Sequence, residues 1–91
     1  MFYNYILYSP KQDEMYVGVT EDLKRRFSEH NNGKVPSTKR YMPWLLIYYE
    51  GCLNKKDAKR REMYLKTSQG RRMLKLRLKE YLNERKENLS K

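Results

Sequence analysis

The chain has 91 residues and a formal net charge of +10, from 21 Lys and Arg against 11 Asp and Glu. A chain of this length is expected to form one domain with a modest core, so we expect neither extra domains nor an internal repeat. The positive charge indicates a polyanionic partner, nucleic acid before others, although a ribosome-associated or merely basic protein would have the same composition.

The cysteine content and the hydropathy pattern point to a reducing compartment. Cys52 is the one cysteine, so no internal disulfide can form and a cytoplasmic location is expected. The N-terminus has no signal-peptide pattern, and the longest apolar run, residues 44–49, is too short to cross a bilayer. We expect no membrane partner and no small-molecule cofactor.

Two short strands are predicted at the start of the chain. Residues 2–8 are rich in aromatic and branched residues and end at Ser9-Pro10. In residues 15–19, Met15, Val17 and Val19 alternate with Tyr16 and Gly18, so that one face is apolar, which is typical of a strand. Because the polar connection, residues 11–14, is short, the two strands should pair antiparallel as a hairpin.

The second strand leads into a helix that carries an arginine and the only histidine. Thr20 is the predicted N-cap, and two acidic residues follow it where the helix dipole favours negative charge. The helix should continue to about Asn31. Arg26 and His30 lie four residues apart and therefore share a stripe, which places them at the edge of the core.

A basic loop and a third strand follow. The strand, residues 44–50, is almost continuously apolar, which predicts a central position in the sheet with both faces covered. The loop, residues 33–43, is either a phosphate-binding element or a solvated basic segment. Its candidate nucleic-acid-binding residues are Lys34, Ser37, Thr38, Lys39 and Arg40.

The next predicted helix places a carboxylate on its inward face. Asn54 is the predicted cap, and the helix should run over residues 55–67. Glu62 shares a stripe with the apolar Ala58 and Leu65. A carboxylate in that position costs free energy unless a cation or a hydrogen-bond donor meets it.

A break at residues 68–70 separates this helix from a last one over residues 71–82. Arg71 and Arg72 on the last helix are further candidates for nucleic-acid binding. The order strand-strand-helix-strand-helix-helix predicts an α/β (α+β) sandwich with a three-stranded, mostly antiparallel sheet. Residues 1–83 would form the domain, and residues 84–91 a polar tail that frays.

Five polar groups remain once the core positions are assigned: Tyr5, Tyr16, Arg26, His30 and Glu62. Hydrolysis of a phosphodiester needs a base near the attacking water, positive charge at the phosphoryl oxygens and stabilisation of the leaving oxygen. Arginine binds phosphate through paired hydrogen bonds, a carboxylate can hold Mg²⁺, and tyrosine or histidine can transfer a proton. Each group also has an ordinary interpretation, such as cross-strand packing for the tyrosines or an ion pair for Glu62.

The motifs around these residues resemble the GIY-YIG nuclease family. The YIG element is Tyr-Val-Gly at residues 16–18, whereas the GIY element, residues 3–5, keeps only its tyrosine. Arg26 and His30 stand where the family's first helix has them, and residues 60–66 match the segment that carries the family's glutamate.

The resemblance extends over about residues 3–82. Within it, residues 31–34, 37–39 and 70–72 are similar to the small, standalone bacterial branch of the family.

This resemblance implies a metal-dependent endonuclease that acts on DNA, with RNA as the other candidate. Glu62 would hold one divalent cation, Mg²⁺ or Mn²⁺, and Arg26 would bind a non-bridging phosphate oxygen. Tyr5 would activate the water, while Tyr16 and His30 would position it or pass the proton onward. The roles of the two tyrosines could be reversed.

Two departures from the family pattern leave an alternative open, a catalytically inactive nucleic-acid-binding module on the same fold. Tyr3 and Asn4 replace the glycine and the isoleucine of GIY, and Asn4 needs a partner if it points into the core. No asparagine lies between Glu62 and Leu82, where many members have one near the metal. The pathway and the oligomeric state are open as well.

Overall fold

A computed structural model describes the backbone of residues 1–90 and the side chains of residues 1–86. Its elements are β1 (Phe2–Ser9), β2 (Glu14–Thr20), α1 (Leu23–Asn31), a 3₁₀ turn (Lys39–Tyr41), β3 (Leu45–Cys52), α2 (Lys55–Leu65), α3 (Ser68–Arg77) and α4 (Lys79–Ser90). The order confirms the predicted α+β sandwich, with one additional helix because the predicted last helix is divided at Leu78.

The sheet has the order β2-β1-β3, and both pairings are antiparallel. The central strand is β1, whose residues 4–9 are all buried, whereas β3 lies at an edge and has no fully buried residue. The prediction of a central third strand was therefore wrong. Tyrosine buries a large apolar ring while its hydroxyl keeps a polar partner, so the tyrosine-rich β1 is more deeply buried than its hydropathy suggests.

The two faces of the sheet carry two separate apolar clusters, because residues alternate between the faces along each strand. One face is covered by α2 and α3, and its buried residues are Ile6, Val17, Leu65 and Leu74. The other face is covered by α1 and the loop after it, and its buried residues are Tyr5, Leu7 and Trp44. Helices thus cover both faces of a sheet that is only three strands wide.

The first helix begins two residues later than predicted, and Asp22 rather than Thr20 is its cap. The Asp22 carboxylate accepts a hydrogen bond of 3.1 Å from the backbone N–H of Arg25. The Thr20 hydroxyl instead accepts from the N–H of Asp22 at 3.1 Å and forms the turn that precedes the helix. The predicted cap of α2 is confirmed, since the Asn54 side chain accepts from the N–H of Lys56 at 2.8 Å.

The junction between α2 and α3 lies at Lys66 and Thr67, before the predicted break. The Thr67 hydroxyl accepts from the N–H of Gly70 at 3.0 Å and caps α3, so residues 68–70 form the first turn of a helix. Gly70 is buried, and a Cβ at this position would overlap the backbone of Tyr64. The absence of a side chain at Gly70 therefore sets how closely α3 crosses the end of α2.

No helix in the described part of the chain is long and apolar enough to cross a membrane. The division between a domain of residues 1–83 and a fraying tail of residues 84–91 stays a prediction. Lys91 itself lies outside the described residues.

The crossing of α2 and α3 gives a first prediction. Replacing Gly70 by alanine should lower the free energy of unfolding by about 2 kcal/mol, because the added methyl group meets backbone that cannot move aside cheaply. Gln69→Ala, at the exposed neighbouring position, is the control and should change it by less than about 0.5 kcal/mol. Urea denaturation measures both, and equal effects of the two substitutions would contradict the packing argument.

Candidate active site

Tyr5 lies at the centre of the site, on the central strand and opposite Gly18 of β2. Its side chain is only 1% exposed. The phenol crosses directly over Gly18, where a Cβ would overlap both the ring and the hydroxyl. Gly18 is thus required for the phenol to reach across the edge strand of the sheet.

The Tyr5 hydroxyl begins a buried hydrogen-bond chain. It lies 2.8 Å from Nε2 of His30, and Nδ1 of His30 lies 2.8 Å from the hydroxyl of Thr38. The Thr38 hydroxyl is also 3.3 Å from the carbonyl of Val35, which can only accept. We infer that Thr38 donates to Val35 and accepts from His30 Nδ1–H. A neutral imidazole has one N–H, so Nε2 accepts the proton that Tyr5 donates.

Burial determines the protonation of this chain. It is the largest reason why the pKa of Tyr5 is raised to about 12, with a further increase from Tyr16 and an opposing decrease from the nearby Arg26. Burial, together with the smaller effect of the positive charge of Arg26, also lowers the pKa of His30 to about 4. At neutral pH the chain therefore consists of a phenol and a neutral imidazole.

Arg26 lies on the same helix as His30 but reaches solvent, with 36% of its side chain exposed. One of its nitrogens, Nη1, pairs with the carboxylate of Glu29 at 3.1 Å. This guanidinium opposes the effect of burial on Tyr5 and lowers the pKa of the phenol. Because a guanidinium has five N–H donors, the Glu29 pair leaves others for a phosphate.

Tyr16 forms the outer wall of the site. Its ring centroid lies 4.9 Å from that of His30 and 6.2 Å from that of Tyr5. Tyr16 is half-buried and lines a cavity of about 180 Å³ together with Ser37 and Thr38. A molecule in this cavity would therefore contact the Tyr16 ring, while Tyr5 and His30 lie behind it.

Glu62 approaches the site from α2, with 15% of its side chain exposed. Two cations pair with it loosely, Lys59 of the same helix at 3.8 Å and Lys66, the C-cap of that helix, at 3.5 Å. Both are too far for strong charge-assisted hydrogen bonds. Its negative charge raises the pKa of Tyr5, so the carboxylate acts on the phenol electrostatically.

This carboxylate fits a hard divalent cation. Among the described residues no three His, Cys, Asp or Glu side chains converge, so Glu62 offers a single anionic ligand. Mg²⁺ accepts such a site because it keeps several of its waters and takes further oxygen ligands from a substrate phosphate. A softer metal that needs several nitrogen or sulfur ligands does not fit.

The structure brings Tyr5, Tyr16 and His30 into direct contact, with Arg26 and Glu62 acting on Tyr5 through their charges. His30 is fully buried, not at the edge of the core as expected. The difference arises because the loop after α1 closes over the imidazole.

Thr38 has a role that sequence reasoning missed. It was expected on the surface of a phosphate-binding loop, yet it is 1% exposed and hydrogen-bonds to His30. Its backbone carbonyl also accepts from the Trp44 indole at 3.0 Å. No sequence pattern signals this contact, because it depends on how the loop folds back over α1. The other candidates in the loop, Lys34, Ser37, Lys39 and Arg40, are exposed.

The candidates on α3 differ from each other. Arg72 is exposed, whereas Arg71 is half-buried and its Nη1 donates to the carbonyl of Met15 at 2.9 Å. Asn4, the altered residue of the GIY element, points into the core, and its Oδ1 has no hydrogen-bond partner among the described residues. A buried acceptor of this kind costs about 1–3 kcal/mol.

Comparisons with known proteins show the family of this chain. A family model described as the GIY-YIG catalytic domain matches residues 1–76. A UPF0213 protein of Clostridium perfringens is 40% identical over 67 residues, which cover 72% of this chain and 71% of that protein. One from Pediococcus acidilactici is 35% identical over 77 residues, 81% of this chain and 78% of that protein. No solved structure matches significantly. The predicted family resemblance is confirmed.

The pKa of His30 makes stability depend on pH. The unfolded chain binds a proton at His30 below a pKa of 6.5, whereas the folded protein binds it only below about 4. The free energy of unfolding should therefore fall as the pH decreases from 6.5 to 4, by up to about 3 kcal/mol. Urea denaturation of wild type and His30→Gln across this range isolates the contribution, because carboxylates titrate in both proteins. Identical pH profiles would contradict it.

The direction of the hydrogen-bond chain can be tested at Thr38. Because the chain has one histidine, ¹⁵N NMR of the imidazole reports a single tautomer, and wild type should carry its proton on Nδ1. Thr38→Val removes the acceptor, so the proton should move to Nε2 or the protein should lose about 1–3 kcal/mol of stability. Ser37→Ala is the control and should keep the Nδ1–H form. An Nε2–H signal in wild type would refute the assignment.

Proposed function

Since this chain belongs to the GIY-YIG family, a nuclease family, we propose that it is an endonuclease that hydrolyses DNA phosphodiester bonds with one divalent cation, Mg²⁺ or Mn²⁺. The observation that supports this most is the environment of the Tyr5 phenol, which is hydrogen-bonded to His30 and whose pKa is shifted by both Arg26 and Glu62. In this proposal the Tyr5–His30 pair transfers a proton, Arg26 binds phosphate and Glu62 binds the metal.

In this proposal Arg26 binds a non-bridging oxygen of the scissile phosphate. It is the most exposed of the charged groups around Tyr5, and the Glu29 carboxylate holds one edge of its guanidinium. A guanidinium that is held in this way stabilises the charge that develops on the phosphoryl oxygens without having to reorganise.

The Tyr5–His30 pair activates the water. A water beside the phenol oxygen gives its proton to Tyr5 while Tyr5 passes its own proton to His30 Nε2. The resulting hydroxide attacks phosphorus, and the bond to the 3′ oxygen breaks. The leaving 3′ oxygen takes a proton from solvent, and His30 releases its proton to solvent. Tyr16 positions the water from the outer wall of the site. In a variant of this mechanism the two tyrosines exchange roles.

The pKa of His30 near 4 is low for this task, and part of its cause is the charge of Arg26. A phosphate bound to Arg26 would offset that charge and raise the pKa of His30. Substrate binding itself would thus make the relay more basic, whereas the free protein keeps it inactive.

Glu62 would hold the divalent cation, which when bound supplies positive charge to the phosphate and to the leaving oxygen. The loose pairing of Glu62 with Lys59 and Lys66 supports this assignment, because the carboxylate lacks a strong partner in the fold. We place the activity in the cytoplasm, as the single cysteine suggests.

A nucleic-acid-binding module without catalysis is the second candidate. It is favoured by the pKa values of the relay, since neither a phenol with a pKa of about 12 nor an imidazole with a pKa of about 4 is an effective base at neutral pH. The two candidates share the fold and the basic surface and differ only in whether a bond is broken.

Cleavage and metal binding distinguish the candidates. Nicking of supercoiled plasmid in Mg²⁺ or Mn²⁺ should stop in EDTA and fall by at least about 100-fold in Glu62→Gln and in Arg26→Ala. The matched controls are Glu80→Gln and Arg60→Ala, at exposed positions, and should cleave normally. A thermal shift with Mn²⁺ should be lost in Glu62→Gln while its stability without metal stays within about 0.5 kcal/mol of wild type.

Activity that survives both site substitutions would mean that a contaminant cleaves the plasmid. If wild type binds nucleic acid but cleaves neither duplex, branched or single-stranded DNA nor RNA, the binding module is the correct description.

A further inference from the structure

A groove of about 620 Å³ lies outside the five-residue site, between the β1–β2 turn and the helices α3 and α4. Its volume is in the range of pockets that hold small organic ligands. The proposed mechanism uses none of its residues.

The rim of the groove is strongly cationic. Two acidic residues oppose its positive side chains, and one of them, Asp13, accepts a hydrogen bond of 2.7 Å from the Tyr8 hydroxyl. The other, Glu14, is exposed at the end of the groove. An excess of positive charge therefore faces the cavity; its cations are Arg71, Lys75, Lys79, Arg85 and Lys86.

The interior of the groove is partly apolar. Pro10, Met15 and Leu82 line it together with the ring of Tyr8. The guanidinium of Arg85 lies 5.4 Å from the centre of that ring, and so forms part of a fixed wall. An apolar surface beside a cationic rim fits a flat base that carries a phosphate, the combination used by proteins that bind unpaired nucleotides.

The groove borders the smaller cavity that lies beside the active site. It shares Glu14 and Met15 with the smaller cavity, and that cavity reaches Tyr16 and Thr38. Along a strand each residue advances about 3.4 Å, so Gly18 beneath the Tyr5 hydroxyl is about 10 Å from Met15. One nucleic-acid strand covers that distance in roughly three stacked steps.

We propose that the groove binds an unpaired nucleotide of the strand that is being cut, a few nucleotides from the scissile phosphate. The base lies on Pro10, Met15 and Leu82, and the phosphate meets Lys75 and Lys79. This inference rests on the proposed function, because it takes the strand to pass through the five-residue site. It assigns the cationic end of α3 and the start of α4 to substrate binding.

Binding in EDTA tests the groove without cleavage. Fluorescence anisotropy of the full chain with labelled oligo-dT of about 12 nucleotides should show a roughly tenfold loss of affinity in Lys75→Glu/Lys79→Glu. The dependence of binding on salt should weaken by about 0.7 in its logarithmic slope, because the contact with one phosphate is lost. The control, Lys55→Glu/Lys56→Glu, makes the same charge change at exposed positions at the opposite end of the sheet and should lose much less. Circular dichroism of each variant verifies folding.

Base contact is tested separately with thymidine monophosphate, which should shift the NMR signals of the Met15 and Leu82 methyl groups. If inorganic polyphosphate loses as much affinity as oligo-dT in the groove variant and the methyl signals do not move, the groove is an anion site only and the proposal is wrong. If a glutamate-rich peptide displaces oligo-dT from wild type and binds the groove variant weakly, the groove is a protein-docking surface and the proposal is again wrong.

Plasmid nicking by wild type, run in parallel, separates this inference from the proposed function. If wild type nicks DNA while the groove and control variants bind oligo-dT equally, only the groove assignment fails. If wild type does not nick DNA, the proposed function fails, and the binding measurement in EDTA still decides whether the groove holds a nucleotide.

Discussion

The hydrogen bond between Tyr5 and His30 is the contact around which this small domain is arranged. The Tyr5 phenol can reach the imidazole only because Gly18, over which it crosses, has no side chain. The imidazole keeps its orientation because Thr38 holds its other nitrogen. A central strand, a helix and a loop are thus joined by two bonds of 2.8 Å. Loss of any one of them would leave a buried polar group without a partner, which is costly in a core this small.

Burial has a second consequence for the same contact. It keeps the phenol protonated and the imidazole neutral, so the pair is well packed and uncharged in the free protein. Chemistry requires the opposite tendency, a phenol that can give up its proton and an imidazole that can take it. Arg26 and Glu62 stand at the exposed side of the pair, where a phosphate and a cation would change the balance of charge. The site therefore combines a rigid interior with a charged outer side that responds to what binds there.

The positive charge of the chain is unevenly distributed over its surface. Much of it is not at the five-residue site, where the single guanidinium of Arg26 is matched by carboxylates. Several cations of α3 and α4 instead line a groove that shares Glu14 and Met15 with the cavity beside the site. Under the proposed function, this small domain would hold its substrate with one surface and cut it with another. The basic composition would then serve substrate binding more than the catalytic centre.

Much of the fold was determined by sequence patterns that act locally. The hairpin, the end of α1, the Asn54 cap and the apolar stripe of α2 depend on neighbouring residues, so spacing alone predicted them. The order of the strands could not be predicted from these local patterns, because it depends on which strand the helices cover. The hydropathy of a tyrosine-rich strand also underestimates how deeply the strand is buried. The caps at Asp22 and Thr67 were missed because several polar residues compete at each helix start, and backbone geometry chooses among them.

The same division holds for the site. The spacing of Tyr5, Tyr16 and the helical pair Arg26 and His30, together with Glu62, was sufficient to nominate the five groups and the family. The sequence by itself could not assign Thr38, whose contact with His30 arises from the path of the loop. Nor could it show the groove, whose walls come from the hairpin and from helices about 60 residues later in the chain. Local periodicity can be predicted from the sequence because it depends on neighbouring residues. Contacts between distant segments could not be predicted, because they form only when the chain folds around its core.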